Sequence, residues 1–123
     1  MVKENKILEL TFQFSLQSIE LYKILVQKNE FVISKQLLRS ATSIGANVEE
    51  GNAAQTKKDF VSKMSIASKE ARETKYWLRL LDKSQLVPNN YSCHLTSIEH
   101  IINILTKIVK TAQESLEHQH KVR

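Results

Sequence analysis

The sequence predicts an all-α protein, an antiparallel up-down-up-down four-helix bundle. Three observations carry that prediction. The 123 residues hold only two glycines and one proline, too few breakers for many short strands. Apolar residues recur at alternating spacings of three and four in four separate stretches, the rhythm of helices that bury one face. Short polar or turn-forming segments separate those stretches, so successive helices fold back on one another. A single domain over residues 1–123 holds all four, at about 5–28, 34–51, 56–84 and 91–117.

In the first stretch Leu8, Phe12, Ser15, Ile19, Tyr22 and Val26 keep the rhythm, and Ile7, Thr11, Phe14, Leu21 and Leu25 widen the stripe. A helix apolar on two sides needs more than one neighbour. Asn29-Glu30-Phe31 breaks the pattern. Ser34 is the expected N-cap of the second helix, because its hydroxyl can accept from a free first-turn amide. Leu37, Ala41, Ile44 and Val48 form that helix's apolar stripe, and Ser40 to Asn47 is dense in small residues. Small side chains admit a neighbouring helix closely, which offsets the cost of about 1 kcal/mol for Gly45 in a helix. Gly51 and Asn52 are expected to close the helix in a left-handed C-cap.

The third stretch, Thr56 to Lys83, opens on a capping-box pattern, Thr56-Lys57-Lys58-Asp59. It sorts into three faces. Phe60, Met64, Ala67, Ala71, Thr74, Leu78 and Leu81 form a core seam. Ile66, Glu70, Glu73, Trp77 and Leu80 run beside it. Lys58, Lys69, Arg72, Tyr76, Arg79 and Lys83 lie nearly opposite. Val87-Pro88-Asn89-Asn90 is the clearest turn in the chain. The fourth helix then carries Leu95, Ile98, Ile102, Leu105, Val109, Ala112 and Leu116, with Ile101, Ile104 and Ile108 beside them. The polar residues from His118 to Arg123 are expected to fray. The first and fourth helices carry more apolar surface than one bundle core uses, which implies an oligomer interface.

A chain with 41% hydrophobic and 25% charged residues is of ordinary globular composition. One cysteine, Cys93, allows no internal disulfide and fits a reducing, cytoplasmic location. No apolar run is long enough for a membrane segment, and the start reads as no signal peptide. The net charge of +5 is concentrated: Thr56 to Ser84 carries eight basic and four acidic residues, and the rest of the chain is nearly neutral. That excess suits a polyanionic partner.

The residues offer little for catalysis. A di-iron bundle needs inward Glu-x-x-His pairs from two helices, and no two helices supply them. Glu114 and His118 have no partner pair. His94 and His100 read as solvent-facing or helix-end residues, and Cys93 has no assignable acid or base partner. Phosphate loops, nucleophile elbows and dinucleotide fingerprints are absent. The expectation is no catalytic residue, no metal and no cofactor. Glu70 and Glu73 are better explained as a polar network fixing helix register or a subunit contact, with Arg39, Arg72 or Lys75 as partners. The basic line of Lys58, Lys69, Arg72, Tyr76, Arg79 and Lys83 has two readings. It is a solvated face, or it neutralises phosphates while an aromatic ring stacks on a base. With no groove-reading motif, such binding would be non-specific.

Residues 36–51, QLLRSATSIGANVEEG, resemble the QLRRAAxSIxANIAEG signature of the bacterial 23S rRNA intervening-sequence proteins. Lys57 to Phe60, Ser65 to Ala67 and Lys69 to Leu78 are similar to that family's third helix. The resemblance covers about Leu8 to Leu105 and implies a four-helix bundle that assembles as a pentameric ring. Arg39, Ser43, Asn47, Glu50 and Glu73 match the family's polar signature, which implies structural roles. A related branch, the accessory proteins of diversity-generating retroelements, is basic and binds nucleic acid and a reverse transcriptase. The expectation is therefore a non-enzymatic homo-oligomer, a pentamer in the family's manner, with RNA or DNA as ligand. The alternative is a protein-binding scaffold whose basic face docks an acidic partner.

Overall fold

The computed structural model describes residues 2–121, with the side chains of 6–119. Four helices follow in order: α1 Val2–Gln27, α2 Ile33–Asn52, α3 Lys57–Ser84 and α4 Ser92–Lys121. Contacts across the helix pairs fix their direction. Ser40 meets Thr74 and Glu50 meets Lys63, so residue numbers fall on α3 as they rise on α2. Lys75 meets Glu99, Arg72 meets Thr106 and Lys57 meets Ser115, so α4 runs against α3. α2 packs on both α1 and α3, α3 on α4, and α4 only lightly on α1. Among the described residues α1 and α3 are diagonal, with no close backbone approach, though both feed one core. None of the described helices is long and apolar enough to cross a membrane.

The α2 stripe of Leu37, Ala41, Ile44 and Val48 is fully buried, as is the α3 seam from Met64 through Leu81. α1 differs from expectation. Its core face is Ile7, Thr11, Phe14, Ser18, Leu21 and Leu25, whereas Phe12 and Ile19 of the first line stand 55% and 39% exposed. Both lines share one spacing, so periodicity cannot rank them. The buried line includes two hydroxyl residues that satisfy themselves on their own helix. Thr11 donates to the Ile7 carbonyl and Ser18 to the Phe14 carbonyl, each at 2.8 Å. Burying them therefore strands no polar group.

The helix ends correct three expectations. Ser34 is not the N-cap of α2; it is buried inside the first turn. Glu30 does that work. One carboxylate oxygen accepts from the Val32 and Ile33 amides at 3.1 and 3.0 Å, the other from the Ser34 amide at 2.6 Å, and Ser34 Oγ donates to the Glu30 carbonyl. A glutamate set back from the helix reaches three orphan amides where a serine reaches one. Asn29, at φ 65°, turns the chain so that Glu30 faces α2. Gly51 is not a left-handed cap either: no glycine has positive φ, and α2 runs on through Asn52. Its lack of a side chain serves packing, since a Cβ there would meet Met64 Cε at 3.1 Å and Lys63 Cβ at 3.2 Å. Finally, α4 continues to Lys121, because nothing after Pro88 is a helix breaker. Val122 and Arg123 lie outside the described residues.

Other ends follow the local chemistry. Thr56 accepts from the Asp59 amide at 3.0 Å, one half of a capping box. Gln85 adopts the left-handed cap of α3 at φ 49°, and its side chain ties the Asp82 carbonyl to both the carbonyl and the amide of Asn89. This turn places Tyr91 wholly inside the bundle, its hydroxyl donating to the Val87 carbonyl at 2.7 Å; burial raises its pKa above the ordinary phenol value.

Replacing Glu30 by Ala leaves three amides at the buried start of α2 without their acceptor. Urea denaturation at neutral pH should show a loss of about 2–3 kcal/mol. A loss below about 0.5 kcal/mol would mean that water serves those amides equally well.

Candidate functional site

α2 approaches α3 closely because small buried residues line the seam, Ser40 and Ala41 on α2 and Ala67, Ala71 and Thr74 on α3, while Gly51 makes room for Met64 and Lys63. At its centre Thr74 Oγ1 lies 2.8 Å from Ser40 Oγ, a buried polar contact between the helices. This spacing brings the polar residues on either flank within reach of each other. Arg39 forms an ion pair with Glu70 at 3.2 Å and a second, short one with Glu73. The indole N–H of Trp77 donates to the same Glu73 oxygen at 3.0 Å. The Trp77 hydrogen bond, followed by Arg39, holds the Glu73 carboxyl below the usual range against the opposing effect of burial. The same pairing, led by Glu73, raises the Arg39 guanidinium further. Two carboxylates thus converge on one guanidinium, and the indole steadies one of them, a geometry for holding two helices in register.

Farther along the α2–α3 groove, Glu50 pairs with Lys63 at 3.0 Å. Asn47 donates to the carbonyl and hydroxyl of Ser43, both within α2, so these two residues lie between the ion pairs without joining them. Arg72 and Lys75 are not the partners of Glu70 and Glu73. Both lean toward α4, where Arg72 meets Thr106 at 3.1 Å and Lys75 meets Glu99 at 2.6 Å. Lys63 went unassigned in the sequence, although its spacing from Ile66 and Glu70 puts it on their line.

The basic line is exposed along its length: Lys58, Lys69, Arg72, Tyr76, Arg79 and Lys83 all face outward from α3. Among the described residues none of its cations is paired with a carboxylate. Tyr76 touches Trp77 edge-to-face, with ring centroids 5.2 Å apart, so the aromatic pair joins the basic face to the Arg39 cluster. Ile66 and Leu80 are partly exposed beside it.

His94 is a helix-end residue, in the first turn of α4, and not a solvent-facing one. It is half-buried where α4 meets α1, with Nδ1 enclosed and unpartnered, and burial lowers its pKa while the Gln17 backbone opposes that shift. His100 and Cys93 are exposed. No group of three His, Cys, Asp or Glu side chains able to hold a metal occurs among the described residues.

The family model described as 23S rRNA-intervening sequence protein matches residues 3–107. The chain belongs to this family. It is also similar, at 42% identity, to the crystal structure of a protein of unknown function from the S23 ribosomal protein family of Bacteroides thetaiotaomicron VPI-5482. That match covers 88% of this chain and 98% of the other, with a TM-score of 0.82. No curated relative matches the chain.

The Glu73 geometry predicts a titration. Because its folded pKa is depressed, the cluster's contribution to stability is present above the unfolded carboxylate value and is lost as pH falls through the folded one. Replacing Trp77 by Phe, which removes the main cause, should move the Glu73 titration measured by NMR up toward 4.5. An unmoved titration would show that Arg39 alone sets it.

Proposed function

We propose that this member of the 23S rRNA-intervening sequence protein family is a non-enzymatic, homo-oligomeric binding module that takes RNA or DNA on the basic face of α3. The observation that carries this reading is the outward line of Lys58, Lys69, Arg72, Arg79 and Lys83 around the exposed Tyr76, unpaired with carboxylates among the described residues. Unneutralised cations along one helix face suit a phosphate backbone, and an exposed ring offers a surface for an unpaired base. Backbone contacts of this kind bind without reading sequence.

Self-association is supported by apolar surface left outside the bundle. Phe12, Leu16 and Ile19 form one stripe on α1, with Leu16 44% exposed. An apolar stripe of this kind on a small domain marks a contact surface. The family resemblance implies five copies. A second reading, a scaffold that docks an acidic protein, is favoured by Ile66, Trp77 and Leu80, which put partly exposed apolar groups beside the basic line.

Changing Lys69, Arg72 and Arg79 together to Glu should weaken binding to a labelled RNA hairpin at least tenfold. It should also reduce the slope of log affinity against log salt by about 2–3. Equal retention of wild type and variant in a gel shift would end the nucleic-acid reading, and nuclease-resistant capture of an acidic protein would favour the scaffold. Light scattering should give a mass near five times the 14.2 kDa chain, falling when Phe12 and Leu16 are both changed to Glu. A monomer at micromolar concentration would refute self-association.

A further inference from the structure

Lys6 of α1, the end of α2 and its connection to α3, the beginning of α3 and the stretch of α4 from His100 to Ser115 line an open cleft of about 860 Å3. That volume lies within the roughly 300–1,000 Å3 of small-molecule sites. Its floor is aliphatic and aromatic: Ile104, Ile108 and Ala112 of α4 and Phe60 of α3. All four are only half-buried, so the bundle leaves them unfinished.

The rim has one sign. Lys6, Lys57 and Lys107 line it together with His100, and no carboxylate is among the lining residues. Lys57 Nζ rests 2.6 Å from the Ser115 hydroxyl, a neutral partner that leaves its charge unspent. Among the described residues neither Lys6 nor Lys107 makes an ion pair. An apolar floor under three uncompensated ammonium groups complements a molecule with an apolar body and an anionic head. The body is removed from water on the floor while the head stays among cations at the rim, so no charge is buried alone. Of the cations on the α3 basic line, none lines this cleft, so a polyanion on that line would leave it free.

The geometry points to a binding site for a free amphipathic organic acid, a carboxylate or phosphate ester carrying an aliphatic or aryl chain. Sodium laurate below its micellar concentration is a suitable probe, followed through the δ1 methyl resonances of isoleucine. Saturable binding should shift Ile104 and Ile108 while leaving Ile44 and Ile98 in place. Dodecyltrimethylammonium, with the same chain and opposite charge, should bind at least tenfold more weakly. Changing Lys57 and Lys107 together to Glu, both exposed and both away from the core, should cut laurate affinity at least tenfold at unchanged helix content. The Lys69/Arg72/Arg79 variant should keep laurate affinity within about twofold, which separates this site from the RNA-binding reading. Absence of saturable binding, equal affinity for the ammonium probe, or full affinity in the Lys57/Lys107 variant would overturn the assignment.

Discussion

The closeness of α2 to its neighbours sets most of what the molecule presents. Gly45 puts its backbone against α1, where an added Cβ would meet Ser15 Oγ at 3.3 Å and the Thr11 carbonyl at 3.4 Å. Ser40, Ala41 and Gly51 do the same toward α3. Interiors pack at fixed density, so a larger residue at any of these places must push a helix outward or strain its rotamer. The shortest helix is thereby the one that fixes where the two flanking it stand.

Once α2 and α3 lie this close, the residues at the edges of their contact have little freedom. The Arg39, Glu70, Glu73 and Trp77 cluster and the Glu50–Lys63 pair both close over the same groove. The groups are partly exposed, and ion pairs of that kind contribute little to stability on their own. Their value is directional. A one-residue slip of α3 would turn Glu73 away from Arg39 and put a charged residue against the small-residue seam. The rotation of α3 fixed in this way is also what turns its basic line outward, so the structural cluster and the proposed binding face are two results of one constraint.

Much of this was legible in the sequence. The three faces of α3 could be read because 28 residues without a breaker give a clean periodicity, and each face differs in chemistry. The α2 stripe was equally clear. On α1, two apolar lines of the same spacing lie about a quarter-turn apart, and only the position of α2 and α4 decides between them. The capping role of Glu30 carries no pattern, since it depends on a left-handed Asn29 turning the carboxylate back over the next helix. Nothing in the sequence marked Tyr91, next to the Val87–Asn90 turn, as a core residue, yet it is fully buried. The cleft could not be foreseen, because its lining comes from all four helices, at positions far apart in the sequence.

The arrangement of the outer surfaces bears on how they can work together. α1 and α3 sit on opposite corners of the bundle, and each presents its own exposed line: the apolar stripe of Phe12, Leu16 and Ile19 on α1 and the basic line of Lys69, Arg72 and Arg79 on α3. Copies joined through the α1 stripe would bury their apolar surplus at the centre and carry every α3 outward. On the proposed reading, one α3 line would offer only a handful of phosphate contacts, and these alone would give weak, salt-sensitive binding. Several such lines held on one rigid assembly would make each further contact intramolecular, and affinity would then rise by orders of magnitude with no new kind of contact. The same proposal limits the ligand: a short strand would reach one protomer and gain nothing from the others, whereas a long or folded nucleic acid would engage several. The length of the nucleic acid, more than its sequence, would then set how tightly it is held.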